Sequence, residues 1–362
     1  MKLLSGTLLN IGLHQVPGQP CIFTDFKCIL VFFYVDDIVI AFPAARKDQA
    51  LFLLKNLTRG YEFRVLGELE WFLGVMVRRD RKSKKLLLSQ EAYIEKICHE
   101  LDCSDASRQV YTPMINDRLQ KFDRQSTTDE IKLYQRKTGS LIYASGVTRP
   151  DISRTVSHLA EFMVNPGLNH QEAADRCLFY LYHTKGLCIE YSGSNNTSQN
   201  LHCSADAAFG NTEDRRSIQG FVFKLFGGPI HWNSCKQTTV TTSSTEAELL
   251  ALSYAAKELL WMQRIFSGIK FDTNQMVEIF NDNLQTLRLL NKEDPIIQTK
   301  LRHINIYQHW LRERVQSGHI KVSWISTNKM IADGMTKALT KRKHKNFCSV
   351  AQIWCIKYNI QK

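Results

Sequence analysis

Residues 243–260 read SSTEAELLALSYAAKELL, and the fold of the C-terminal half turns on how this stretch is taken. Ser243 followed three residues later by Glu246 is a capping-box pattern, in which the serine accepts from a free first-turn amide and the glutamate reaches back to the N-cap amide. Glu246 is thereby a structural residue. Glu248 instead shares its helical face with Leu252, Ala255 and Leu259, the stripe that must pack on a neighbouring layer. A carboxylate on a buried stripe needs a partner, and a metal ion shared with other acids would supply one. Around this helix, the apolar pattern predicts strands over 201–206, 218–225, 229–233, 276–281 and 319–325, and helices over 244–266, 283–291, 301–317 and 328–338. An antiparallel meander followed by alternating helix and strand gives a mixed five-stranded sheet with flanking helices. Asp206 closes the first strand, Asp282 closes the fourth and Asp333 opens the last helix. With Glu248 these make four acids, distant in sequence, at the element ends where such sheets build their sites.

Upstream of this region runs Ser192–Asn200, SGSNNTSQN, small and polar throughout and read as a linker. Before it, 151–164 and 170–184 carry helical apolar spacing, and the polar stretch 116–130 marks a softer boundary. In the first block Cys28–Val35 and Ile38–Phe42 are apolar strands flanking Asp36 and Asp37. Two crowded carboxylates at a hairpin tip between apolar strands, with none of the Gly-rich context of an ordinary turn, are candidate metal ligands. Residues 66–79 read as further strand leading into a basic hairpin turn. There Arg78, Arg79, Arg81, Lys82, Lys84 and Lys85 surround Asp80, and they are candidate contacts to a phosphate backbone.

The composition agrees with such a partner. The 362 residues carry a formal charge of +12, which suits a polyanion, and 44% hydrophobic content is enough to bury real cores. Ten cysteines form no C-x-x-C pair, and Cys98, His99 and Cys103 fall on a pattern better read as a core helix than as a metal site. The N-terminal stretch offers no signal-peptide pattern, and no run reaches the roughly 18 apolar residues of a membrane span. A reducing compartment, cytoplasmic or nuclear, is expected, without secretion and with no membrane partner.

Several motifs then fall in one order along the chain. They are Tyr34-Val35-Asp36-Asp37, Leu66-Gly67 with Trp71-Phe72-Leu73-Gly74, and Thr148-Arg149-Pro150-Asp151. Beyond the linker come Ala205-Asp206-Ala207-Ala208-Phe209-Gly210-Asn211, Arg216-Ser217-Ile218-Gln219-Gly220, Ser243-Ser244-Thr245-Glu246-Ala247-Glu248, Asp282-Asn283 and Ala332-Asp333-Gly334-Met335-Thr336-Lys337. This series resembles the pol polyprotein of copia-type LTR retrotransposons almost end to end. The resemblance implies an α/β and α+β multidomain chain: an incomplete reverse transcriptase palm plus helical connection, followed by an RNase H-like mixed five-stranded sheet with flanking helices. The corresponding divisions are 1–115, the end of the reverse transcriptase; 116–198, the connection; 199–340, the RNase H-like domain; and 341–362, a basic C-terminal tail.

By the same resemblance Asp206, Glu248, Asp282 and Asp333 match the catalytic, metal-binding acids of RNase H, holding two Mg²⁺ (or Mn²⁺) ions. Asp36 and Asp37 match two of three polymerase carboxylates. The implied partners are RNA/DNA hybrid, RNA and DNA, and the implied activity is hydrolysis of RNA within hybrids. Only 35 residues precede Asp36, so the strand bearing the third polymerase carboxylate is expected upstream of residue 1, leaving the apolar strand 29–35 without a neighbour. Asp25 is not promoted to that role. Many relatives also carry a second acid near Ala208, absent here, but Asp206 is the matching catalytic position, and His303 is read as structural. Two alternatives remain at this point: a non-catalytic nucleic-acid-binding remnant, and a fragment of a full polyprotein whose start lies upstream of Met1.

Overall fold

The computed structural model describes residues 2–116, 118–193, 201–271, 276–291 and 302–355, so most of the stretch read as a linker lies outside the described residues. Two compact units emerge: Met1–Phe72 with Lys257–Gln275, and Leu73–Ala256 with Met276–Lys362. No helix among the described residues is long and apolar enough to cross a membrane.

The first unit contains α1 (Lys2–Asn10), β1 (His14–Gln15), β2 (Ile22–Thr24), β3 (Leu30–Tyr34), β4 (Asp37–Ala41), α2 (Lys47–Gly60) and the two-residue strand β5 (Trp71–Phe72). The first four strands form an antiparallel sheet in the order β1-β2-β3-β4. Because side chains alternate across a strand, Val31 and Phe33 of β3 point one way, into a core with Leu8, Phe23, Leu53 and Leu57. The hairpin over 28–42 forms as expected, but the unpaired edge lies elsewhere. Strand β3 is paired on both sides, by β2 and β4, because the chain before Asp25 folds back beside it. It is β4, which begins at Asp37, that has a free outer edge among the described residues.

The second unit runs β6 (Val75–Asp80), β7 (Lys85–Ser89), α3 (Glu91–Glu100), α4 (Thr128–Val147), α5 (Ser153–Ala160), α6 (Leu168–His183), β8 (Leu187–Ser192), β9 (His202–Ala208), β10 (Ile218–Leu225), β11 (Gly228–Lys236) and α7 (Ser244–Gly268). It continues with β12 (Val277–Asn281), α8 (Leu284–Asn291), α9 (Arg302–Gln316), β13 (Ile320–Trp324), α10 (Asp333–Thr336), α11 (Lys341–Val350) and β14 (Ile353–Cys355). The C-terminal part of α7 falls in the first unit.

These units do not follow the boundaries drawn at 115 and 198. The hairpin β6-β7 pairs through β7 with β8, and β8 with β14, so segments from three of the four divisions share one antiparallel sheet. Nor do residues 341–355 behave as a tail: Phe347, Ala351 and Ile353 are buried with Val222, Ile331 and Met335. Helix α4 was not anticipated. Its polar surface hides the apolar period, yet Thr127 caps it, accepting from the Glu130 amide at 3.3 Å while the Glu130 carboxylate accepts from the Thr127 amide at 2.7 Å. Cys98 and Cys103 are core residues of α3 and the turn after it, and burial pushes the Cys98 thiol up to about 12.

The Thr148–Asp151 motif supplies a buried ion pair. Arg149 donates to both carboxylate oxygens of Asp151, at 2.9 and 2.7 Å, and to the carbonyl and hydroxyl of Thr184. Tyr180 donates to Asp151 at 2.6 Å and its hydroxyl lies 2.8 Å from Nε2 of His344 on α11. Asp151, His344 and Cys348 bring ligand atoms within 4.8 Å of one another, but the guanidinium already occupies the carboxylate, and hydrogen bonding accounts for the cluster. Asp151→Ala strands a fully buried Arg149 and is expected to cost about 3–5 kcal/mol in denaturant unfolding, whereas Arg149→Met with Asp151→Leu should cost far less.

The remaining sheet has the order β11-β10-β9-β12-β13, antiparallel over the first two pairings and parallel over the last two. This is the expected mixed five-stranded sheet. The last expected helix is shortened, with a 3-10 turn at Thr327–Lys329 and the single turn α10 in place of 328–338.

Candidate active site

The strand β9 is buried along most of its length, and Asp206 lies within it, directly opposite Gly220 of β10. That glycine is required by packing. A Cβ there would come within 2.3 Å of the Met335 Cβ, so only glycine lets α10 lie down against the sheet. Once seated, α10 presents Thr336, whose hydroxyl donates to Asp206 Oδ2, and Asp333 in its first turn. Strand β12 ends at Asn281 and delivers Asp282 beyond its C-terminus.

Helix α7 places its two glutamates differently. The Glu246 amide donates to Ser243 Oγ at 3.2 Å, as a capping residue's should. Its carboxylate accepts from the Thr242 amide at 2.7 Å and the Thr242 hydroxyl at 2.8 Å, one residue beyond the position the capping box predicts. Glu248 lies on the sheet-facing stripe with Leu252, Ala255 and Leu259, all fully buried. The structure thus brings Asp206, Glu248 and Asp282 together, with ligand oxygens within 4.8 Å of one another. Asp333 joins them through Lys337, whose ammonium lies 2.6 Å from Asp333 and 3.3 Å from Asp206.

Burial raises the pKa of Asp206 and, more strongly, that of Glu248, and their neighbouring carboxylates add to both shifts. Burial opposes the charge on Lys337, yet Asp206 and Asp333 outweigh it and hold the ammonium above its ordinary value. Three crowded acids, two of them buried, together demand positive charge.

Sequence reasoning missed the supporting residues. Asn281 donates to Glu248 at 2.9 Å and to the Ala205 carbonyl at 3.0 Å, tying α7, β9 and β12 with a single amide. Thr327 donates to Asp282 Oδ2 at 2.8 Å, and the Trp324 indole donates to the Asp282 carbonyl at 3.3 Å. Lys337 carried the one readable signal: it follows Asp333 by four residues, one helical turn.

No protein-family model matches the chain. It is 33% identical to the retrovirus-related Pol polyprotein from transposon TNT 1-94 of Nicotiana tabacum, over 90% of its own length and 25% of that protein's. A putative transposon Ty5-1 protein of Saccharomyces cerevisiae is 30% identical, over 71% of this chain and 83% of the yeast protein. The chain belongs to the Pol polyproteins of copia-type retrotransposons. This Pol chain spans about a quarter of the length of the TNT 1-94 and RE1 polyproteins it matches. Among solved structures, a foamy viral protease-reverse transcriptase in complex with RNA/DNA hybrid is 13% identical, with a TM-score of 0.49, over 90% of this chain and 37% of that one.

In this Pol chain, Asp36 and Asp37 lie exposed at the turn between β3 and β4, where Val35 adopts φ 54°. A β-branched residue pays in backbone strain for such a conformation, which marks the turn as constrained. Neither aspartate belongs to a cluster of three ligands among the described residues. Asp25 is committed elsewhere, accepting from the amides of Lys27 and Ile29 and pairing with Arg46 at 2.9 Å. The basic hairpin forms between β6 and β7, with Arg79, Arg81, Lys82 and Lys84 exposed and Arg78 half-buried. Lys85 pairs with Glu190 at 2.8 Å, so this cation is bound within the sheet.

Proposed function

We propose that this Pol chain is a metal-dependent RNase H that hydrolyses the RNA strand of RNA/DNA hybrids, followed in sequence from a reverse transcriptase segment that carries the Tyr34–Asp37 hairpin. The convergence of Asp206, Glu248 and Asp282 is the observation that carries this reading. Their hard oxygen donors suit Mg²⁺ or Mn²⁺; burial first, and the crowding of neighbouring carboxylates second, raise the pKa values of Asp206 and Glu248, and a divalent cation would offset both costs. Asp206, Glu248, Asp282 and Asp333 would hold two such ions, which supply an activated water and stabilise the leaving oxygen. The chain's own contribution is orientation. Thr336 fixes Asp206, Asn281 fixes Glu248 and Thr327 fixes Asp282, so the carboxylates are set before substrate arrives. Discrimination of RNA from DNA would rest on the 2′-hydroxyl.

The direct test incubates the full chain and Mg²⁺ with an end-labelled RNA/DNA hybrid, an RNA duplex and a DNA duplex. Cleavage confined to the RNA strand of the hybrid is expected. Binding without cleavage at any Mg²⁺ or Mn²⁺ concentration would favour a non-catalytic nucleic-acid-binding protein instead.

Hybrid binding is further expected to weaken steeply with salt, because each neutralised phosphate releases condensed counterions. If the β6-β7 hairpin touches the backbone, neutralising Arg78, Arg79, Arg81, Lys82, Lys84 and Lys85 lowers the slope of log affinity against log salt, read by fluorescence anisotropy. An unchanged slope would make the hairpin a solvated turn.

A further inference from the structure

Helix α11 begins Lys341-Arg342-Lys343-His344-Lys345, with no acid in its first turn. Cations there oppose the positive end of the helix dipole and cost helix stability, so the arrangement does not serve the helix. The two faces are cleanly divided. His344 and Phe347 are buried, while Lys341, Arg342, Lys343 and Lys345 are exposed. Arg342, Lys343 and Lys345 form no ion pair among the described residues, and Lys341 lies over the Tyr111 ring at 3.2 Å.

The buried face determines what these cations stand beside. A Cβ on Gly334 would meet the Phe347 ring at 2.5 Å, so α11 rests directly on α10, the turn that carries Asp333 and Thr336. His344 meanwhile meets Tyr180, which fixes the same helix to α6. A basic face is therefore carried by the helix that packs on α10, the turn that supplies Asp333 and, through Thr336, holds Asp206. A site so rich in acid repels a polyanionic substrate, and fixed cations flanking it offset that repulsion.

We propose that the exposed face of α11 is a docking surface for the phosphate backbone of the nucleic acid that enters the neighbouring acidic site. This rests on the reading of that site as a hybrid nuclease, and the partner is an RNA/DNA hybrid contacted through phosphates, without sequence preference.

The test compares three full-length proteins: the parent, a variant with Lys341→Gln, Arg342→Gln, Lys343→Gln and Lys345→Gln, and a control with Lys47→Gln, Lys55→Gln, Lys96→Gln and Lys132→Gln. Both sets change the net charge equally, at exposed positions. Labelled hybrid is titrated in Ca²⁺ between about 50 and 200 mM salt. The α11 variant should lose about 10-fold or more in affinity at the low-salt end, with a salt slope shallower by up to about 3–4 units at roughly 0.9 per phosphate contact. Its thermal midpoint should stay level or rise, since the cations oppose the dipole. The control should keep the parent slope. Equal slopes in all three proteins, or equal losses in variant and control, would overturn the proposal. Parent binding that is steep in salt but without cleavage in Mg²⁺ would sink the nuclease reading while leaving the docking surface in place.

Discussion

Asp282→Asn in the full chain is expected to lower Mg²⁺-dependent cleavage of a hybrid by more than about 100-fold, beyond what disturbing an outer partner of a metal ligand costs. The exchange is nearly isosteric and removes one anionic oxygen from a set lying within 4.8 Å, while the Trp324 indole still donates to the residue-282 carbonyl and the Thr327 hydroxyl can still donate to the new amide oxygen. The two glutamates of α7 separate catalysis from stability. Glu248→Gln should abolish cleavage in a protein with a native circular dichroism spectrum. Glu246→Ala should cost about 1 kcal/mol of stability through the lost cap on Thr242, with turnover per folded molecule unchanged. Loss of cleavage in folded Glu246→Ala together with full activity in Glu248→Gln would reverse the assignment.

The second large effect is an expected failure. A protein of these 362 residues should not extend a primer on a poly(rA)/oligo(dT) template. Phosphoryl transfer by two metals needs carboxylates from more than one strand, and among the described residues no third ligand gathers with Asp36 and Asp37 at the turn after β3. Asp25 is held by Arg46 and by its own turn. The free edge of β4, beside Asp37, is where a further strand could add. Template-dependent extension that disappears on Asp36→Asn would show that some residue of this chain completes the set.

Much of the C-terminal sheet was legible because β9, β10 and β11 form a meander of apolar runs and the alternating strands β12 and β13 are set between helices. Asp282 could be picked out as an acid just past a strand end and Glu248 as one on a buried helix face, whereas Asp206, read as closing its strand, lies two residues inside β9. The polar residues that hold them could not. Asn281 ends a strand and Thr327 and Thr336 lie in short helical turns, and nothing local marks them until three distant segments converge. The N-terminal divisions were drawn at polar stretches, a rule that assumes neighbours in sequence share a core. It broke down where β7 took β8 as its partner. Helix α4 escaped for a different reason, since its cap, Thr127 with Glu130, lies in the polar stretch read as a boundary and a sparse apolar period concealed the rest.

The first compact unit includes residues 257–271, where the Gly268 backbone lies so near Val16 that a Cβ would fall 2.6 Å from it. During synthesis this imposes a delay. At about 5–20 residues per second the ribosome needs roughly 10–40 s after Phe72 emerges before Lys257 follows. Throughout that interval the nascent β-sheet with Phe23, Val31 and Phe33 waits without its closing segment. Slower translation would lengthen the interval in which that apolar surface is open to aggregation.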